Sequence, residues 1–183
     1  MNPLLLLLPL GLGGAGAWWW WRNQGDDPKE SIDMDDAVKK LAAAGPQYCT
    51  NLAAAWVMAE LGKIPVADLD NWKSWYEVDP DLWATLSLWE DRADPRWGNV
   101  KKVASLFKTG PIFTVAGAAR PTLTTGVWYF VQRWNGYPHS YIVQRQSNGK
   151  YRIIQTSETH GFRDTIEDSY VSSSYDVGVA AMS

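Results

Sequence analysis

Nineteen consecutive residues near the N-terminus, Pro3 to Trp21 (PLLLLLPLGLGGAGAWWWW), carry no charge. A helix needs about 20 predominantly apolar residues to cross roughly 30 Å of hydrocarbon, so this run has the length of a single span. It ends in Trp18, Trp19, Trp20 and Trp21 and is met at once by Arg22. Indoles settle at the headgroup level, and a tryptophan run against an arginine predicts an interfacial collar closing a membrane anchor over residues 1–22. Pro9 and the glycines would loosen such a helix, which membrane helices tolerate. The competing reading is a cleaved signal peptide, since Ala15-Gly16-Ala17 has the small-x-small spacing of a cleavage site. Against it, only Met1 and Asn2 precede the apolar run, with no basic region. Arg22 and the nearby Asp26 and Asp27 pull the orientation in opposite senses, so the side of the membrane stays open.

Residues 23–34 (NQGDDPKESIDM) are polar and acidic and read as a tether to a body spanning 35–183. That length makes one domain with a core of its own. The 17 Lys and Arg are scattered through a chain of net charge −3. No basic stripe that would neutralise phosphates is present, which argues against nucleic acid as a partner. Cys49 is the single cysteine, so no intramolecular disulfide can form. With two histidines and no Cys/His ligand spacing, a structural zinc site is not expected either.

Within the body, a helix is expected from about residues 33–36 to Gly45-Pro46, a dipeptide that ends helices. A second follows from Cys49 to Leu61, with Leu52, Ala55, Trp56, Ala59 and Leu61 at helical spacing and Gly62 as its cap. Short helices are predicted at 81–89 and 100–108, the latter closed by Gly110-Pro111. Then the period changes. Segments 126–134, 139–146 and 150–157 are rich in Val, Ile, Tyr and Trp and read as strands. Asn148-Gly149 is a strong hairpin signal. As a two-residue turn it pairs Ser147 with Lys150 and, by counting, His139 with Glu158. Helices first and an antiparallel meander after them make an α+β domain.

Cys49 sits where a loop becomes a helix, and the positive end of the helix dipole there favours a thiolate. Gln47, Thr50 and Asn51 surround it with groups able to donate to an oxyanion. His139 opens a strand some 90 residues later, aimed by the sheet and open to exchange protons. A thiol at a helix N-terminus and an imidazole at a strand mouth are what a Cys–His pair requires. A third group should orient the imidazole through its other nitrogen. Glu158 takes that place if the Asn-Gly turn has two residues, and Gln155 if the turn is longer by one. His160 is the fallback base. The tryptophans and tyrosines of 72–97 read as core filling, or as an aromatic platform for sugar or peptide. The acid pairs Asp79/Asp81 and Glu90/Asp91 read as solvated loop residues rather than a glycosidase pair.

The segments PQYCTNLAAAWVMAELG and PHSYIVQRQSNGKYRIIQTSE, in that order, resemble the papain-like cysteine peptidase superfamily. The similarity is greatest to its compact bacterial branches, the bacteriocin-leader peptidases and CHAP-type amidases. The resemblance implies a papain-like fold with Cys49 as nucleophile, His139 as base and Gln155 or Glu158 as orienter. It also implies an oxyanion hole from the Cys49 backbone N–H and a side chain such as Gln47, with no metal or organic cofactor. This chain departs from the family pattern in Thr50-Asn51 after the cysteine, in Gln47 only two residues before it, and in Pro138 before the histidine. The function expected is a membrane-anchored thiol hydrolase cleaving an amide bond in a peptide or peptidoglycan stem peptide. Two other functions fit the same residues. One is a catalytically inactive structural or interaction protein of a virion or envelope membrane, with protein partners there. The other is an aromatic-rich carbohydrate- or peptide-binding module. In all three the lipid bilayer is a partner.

Overall fold

The computed structural model describes residues 34–43, 49–69, 94, 96–157 and 160–183, all within one compact unit, Ile32–Ser183. The uncharged run Pro3–Trp21, the collar with Arg22, and most of the tether lie outside the described residues. So do Gln47, Glu158, the expected helix at 81–89 and its acid pairs. Among the described residues no helix is long and apolar enough to cross a membrane.

Three α-helices precede the sheet among the described residues: α1 (Met34–Ala43), α2 (Cys49–Glu60) and α3 (Gly98–Phe107). Helix α2 is the central one. Every residue from Leu52 to Ala59 is buried, so it presents no solvent face, as its lack of charge before Glu60 demands. It stops where expected. Gly62 takes a left-handed φ of +67°, its N–H bonds to the Ala59 carbonyl at 2.9 Å, and that of Lys63 bonds to Met58 at 2.8 Å. This pair of reversed bonds satisfies the last carbonyls of the helix, and glycine enters that conformation without a Cβ penalty.

The strands β1 (Ile112–Thr114), β2 (Trp128–Trp134), β3 (Pro138–Arg145), β4 (Tyr151–Ser157), β5 (Gly161–Glu167) and β6 (Asp176–Ala181) form one sheet. Their order is β1-β6-β2-β3-β4-β5, and every pairing is antiparallel. The expected three-strand meander is therefore the middle of a larger sheet in an α+β domain.

Strand alternation divides the core in two. Trp128 and Phe130, Ile142, Ile154 and Ala180 face the helices and pack with α2 and with Val100, Val103 and Ala104 of α3. Tyr129 and Val131, Tyr141 and Val143, Ile153, Val177 and Val179 face the other way, where Leu123, Tyr170 and Val171 cover them. On that second face the Tyr141 hydroxyl donates to the Tyr170 carbonyl at 2.8 Å, and the Tyr170 hydroxyl to the Pro121 carbonyl at 3.1 Å. Burial pushes both phenols well above their ordinary pKa, and they stay neutral donors.

Helix α2 packs over β3 and β4. A 12-residue helix is about 18 Å long and, laid across strands about 4.8 Å apart, would cover four of them. Its main contacts are with two, so it runs more along the strands than across the sheet. Trp56 in its C-terminal half packs on Trp128, ring centroids 4.7 Å apart, and Trp128 pairs with Gln144 at the end of β3 remote from His139. The N-terminus of α2, with Cys49, therefore points toward the end of the sheet where β3 begins.

Candidate functional site

The site grows from the β3–β4 hairpin. Its register pairs Val143 with Ile153 and Arg145 with Tyr151, one residue off the spacing that a two-residue Asn148-Gly149 turn would impose. The expected pairing of Ser147 with Lys150 is thus corrected. Gln146 N–H bonds instead to the Lys150 carbonyl at 2.8 Å, around the three-residue loop Ser147-Asn148-Gly149. A tight type I′ turn needs positive φ at both central residues. Here Gly149 alone has it (+82°), while the Asn148 side chain accepts the Lys150 N–H at 3.0 Å. One added loop residue moves Gln155 onto the face of His139.

The structure brings those two together. His139 Nε2 lies 2.9 Å from Gln155 Oε1. An amide oxygen only accepts, so Nε2 carries the proton and donates, and in the neutral ring Nδ1 keeps its lone pair. Tyr141, two residues along the same face, stacks on the imidazole at 5.5 Å and 30°. Arg133 is the direct cross-strand neighbour of His139, and its guanidinium lies 4.6 Å from the Tyr175 ring centroid. Burial of the imidazole pulls its pKa below the usual histidine value; the bond to Gln155 opposes this, and the Arg133 charge reinforces it. His139 is accordingly a neutral, oriented base near neutral pH.

This pair lines a cleft of about 410 Å³ at the end of the sheet, together with Arg133, Tyr137, His160 and Arg163. A shallower groove of about 210 Å³ continues down the same face. It shares Arg133 and Gln155 with the cleft and reaches Thr165, Glu167 and Tyr170. Exposed His160 belongs to the turn entering β5. Its N–H donates to Ser157 Oγ at 3.1 Å, and its Nδ1 lies 3.5 Å from the same oxygen.

Cys49 is half-buried at the first position of α2. It shares an end of the sheet with His139 but not a face. Helix α2 packs on the side of Ile142 and Ile154, whereas His139 and Gln155 project with Tyr141 and Ile153. On the helix side of that end, Ser140 and Thr156 bury their hydroxyls with no hydrogen-bond partner among the described residues. The side chains of Thr50 and Asn51 are outside the described residues. Of the tryptophans expected as core or platform, Trp97 is described, and it packs on Phe113 at 4.8 Å. Among the described residues no cluster of three or more His, Cys, Asp or Glu could hold a metal ion.

Two cleft residues escaped the sequence reading. Arg133 was only half findable: Asn135-Gly136 marks a turn, but as a two-residue turn it would set Arg133 against Pro138, and it is the three-residue loop Asn135-Gly136-Tyr137 that sets it against His139. Arg163 lies on β5, a polar edge strand with no signal of its own. No protein-family model, curated protein or solved structure matches this chain.

Proposed function

We propose that this domain is a thiol hydrolase of papain-like type acting on an amide bond, tethered to a membrane by its uncharged N-terminal run. The observation that carries the reading is the 2.9 Å bond between His139 Nε2 and Gln155 Oε1. A neutral imidazole lining a cleft, held by one nitrogen and keeping a lone pair on the other, is the form a general base takes. In this reading Cys49, at the helix terminus on the same end of the sheet, gives its proton to His139 and attacks the carbonyl carbon. The imidazolium then returns the proton to the leaving amine, and water releases the acyl group from sulfur. Because thiol and imidazole start from opposite faces, the thiol must meet Nδ1 around the rim where β3 begins. The test is the rate of iodoacetamide alkylation of Cys49 from pH 5 to 9. A coupled pair gives a thiol pKa well below about 8.5 that rises in His139→Ala. A slow rate, the same with and without His139, refutes the pairing.

The opposite-face placement favours a second reading, a peptide-binding domain without hydrolysis whose working surface is the His139 cleft alone. It predicts a cleft that binds peptide and a Cys49 whose reactivity ignores His139.

A further inference from the structure

We infer that the His139 cleft recognises a carboxylate of its peptide ligand, through Arg163 and Arg133 on either side of the His139–Gln155 pair. The identification of the ligand as a peptide rests on the proposed function; the anion site does not. Four successive strands supply the four groups on one face: Arg133 from β2, His139 from β3, Gln155 from β4 and Arg163 from β5. Arg133 is the cross-strand partner of His139, and Arg163 that of Gln155. Both arginines line the cleft.

Among the described residues neither arginine has a carboxylate partner, whereas nearby cations are matched: Arg152 with Asp164 and Arg96 with Asp176. Arg133 is braced by the Tyr175 ring, which fixes a guanidinium without neutralising it. The histidine between them stays neutral by burial, so the positive charge of the cleft is that of the two guanidiniums. A planar fork of donors suits a carboxylate, which it can hold by two parallel bonds. The adjoining groove supplies side-chain partners for peptide amides in Gln155, Thr165 and Ser169, and Glu167 lines it four residues along β5 from Arg163. Glu167 repels a second negative charge there, so the ligand is oriented with its acidic group at His139.

The experiment is calorimetric titration of the full chain carrying Cys49→Ala, held in mild detergent so that binding is read without turnover. The probes are the acetylated, amidated tripeptides Ala-Glu-Ala and Ala-Gln-Ala, with inorganic phosphate as a competitor. The expected result is at least tenfold tighter binding of the Glu peptide, a preference lost in Arg163→Gln and partly kept in Arg163→Lys. Arg163 is exposed on an edge strand, so neither substitution disturbs the core. Equal affinity for the two peptides, no binding of either, or a Glu preference that persists in Arg163→Gln overturns the inference. Phosphate binding tighter than the Glu peptide also overturns it, in favour of a phosphate site. Failure of the thiol mechanism shows in the alkylation profile and leaves these affinities untouched.

Discussion

Gly178 on β6 is a position where the sheet and α3 approach closely. A Cβ placed there would sit 2.9 Å from Val100 Cγ2 and 3.0 Å and 3.1 Å from two ring carbons of Trp97. Carbon atoms in contact prefer about 3.5–4.0 Å, so Gly178→Ala forces α3 outward by several tenths of an ångström or drives Val100 off its rotamer. The second escape is narrow, because valine in a helix has essentially one χ1 well. Overpacking of this kind costs about 1–3 kcal/mol. Alanine also reduces the freedom of the unfolded chain, which returns about 0.4–1 kcal/mol. The net is a loss of about 1–2 kcal/mol, which in a domain of this size lowers Tm by roughly 2–8 °C. Urea unfolding followed by tryptophan fluorescence reads it as a lower midpoint with unchanged slope. The double variant sharpens the test. Val100→Ala alone costs about 2 kcal/mol, since the residue is fully buried. Combined with Gly178→Ala it makes room for the new methyl, so the pair should fall short of additivity by about 1 kcal/mol. A Gly178→Ala midpoint equal to or above the parent's, or strict additivity, refutes the packing of α3 against β6.

Other consequences are simpler to read. Gly62→Ala meets no atom within 4 Å, so its cost is the strain of a left-handed alanine, about 1 kcal/mol, seen as a lower urea midpoint. Gln155→Ala removes the acceptor of the His139 Nε2–H and costs about 1 kcal/mol. It also lowers the imidazole pKa further, because that bond favours the protonated ring; NMR titration of His139 checks the direction. Because burial depresses the folded pKa of His139, the unfolded chain binds its proton first as pH falls. The imidazole's contribution to stability is complete above the ordinary histidine value of about 6.5 and is lost as pH drops from there through the folded pKa. His139→Asn should flatten that part of the stability profile, as measured by urea midpoints between pH 4.5 and 8.

Much of this fold was legible because its central strands say what they are. Residues 128–134, 138–145 and 151–157 are crowded with Val, Ile, Tyr and Trp, since β2–β4 are covered on both faces in the middle of the sheet. The outer strands were not legible. β5 (GFRDTIE) is largely exposed at one edge and carries no apolar run, β1 is three residues long, and β6 (DVGVAA) uses glycine and alanine to admit α3. The helix over Cys49–Glu60 announced itself by its apolar content and its glycine cap.

At the site, Gln155 hung on a single loop residue. Asn148-Gly149 is compatible with either turn length, and local sequence does not decide between them; the register of β3 against β4 does. The faces of Cys49 and His139 were illegible for a related reason. Alternation fixes that His139 lies with Tyr141, but only packing decides which side of the sheet α2 covers.

The oriented imidazole is the centre of the site, and its protonation is measurable directly. Two-bond proton–nitrogen correlation spectra of the full chain at neutral pH distinguish the two ring nitrogens of His139. The bond to Gln155 predicts a neutral ring with the proton on Nε2 and a bare Nδ1, and weaker dominance of that tautomer in Gln155→Ala. A ring protonated on Nδ1, or one that averages freely between tautomers and ignores Gln155→Ala, would contradict it.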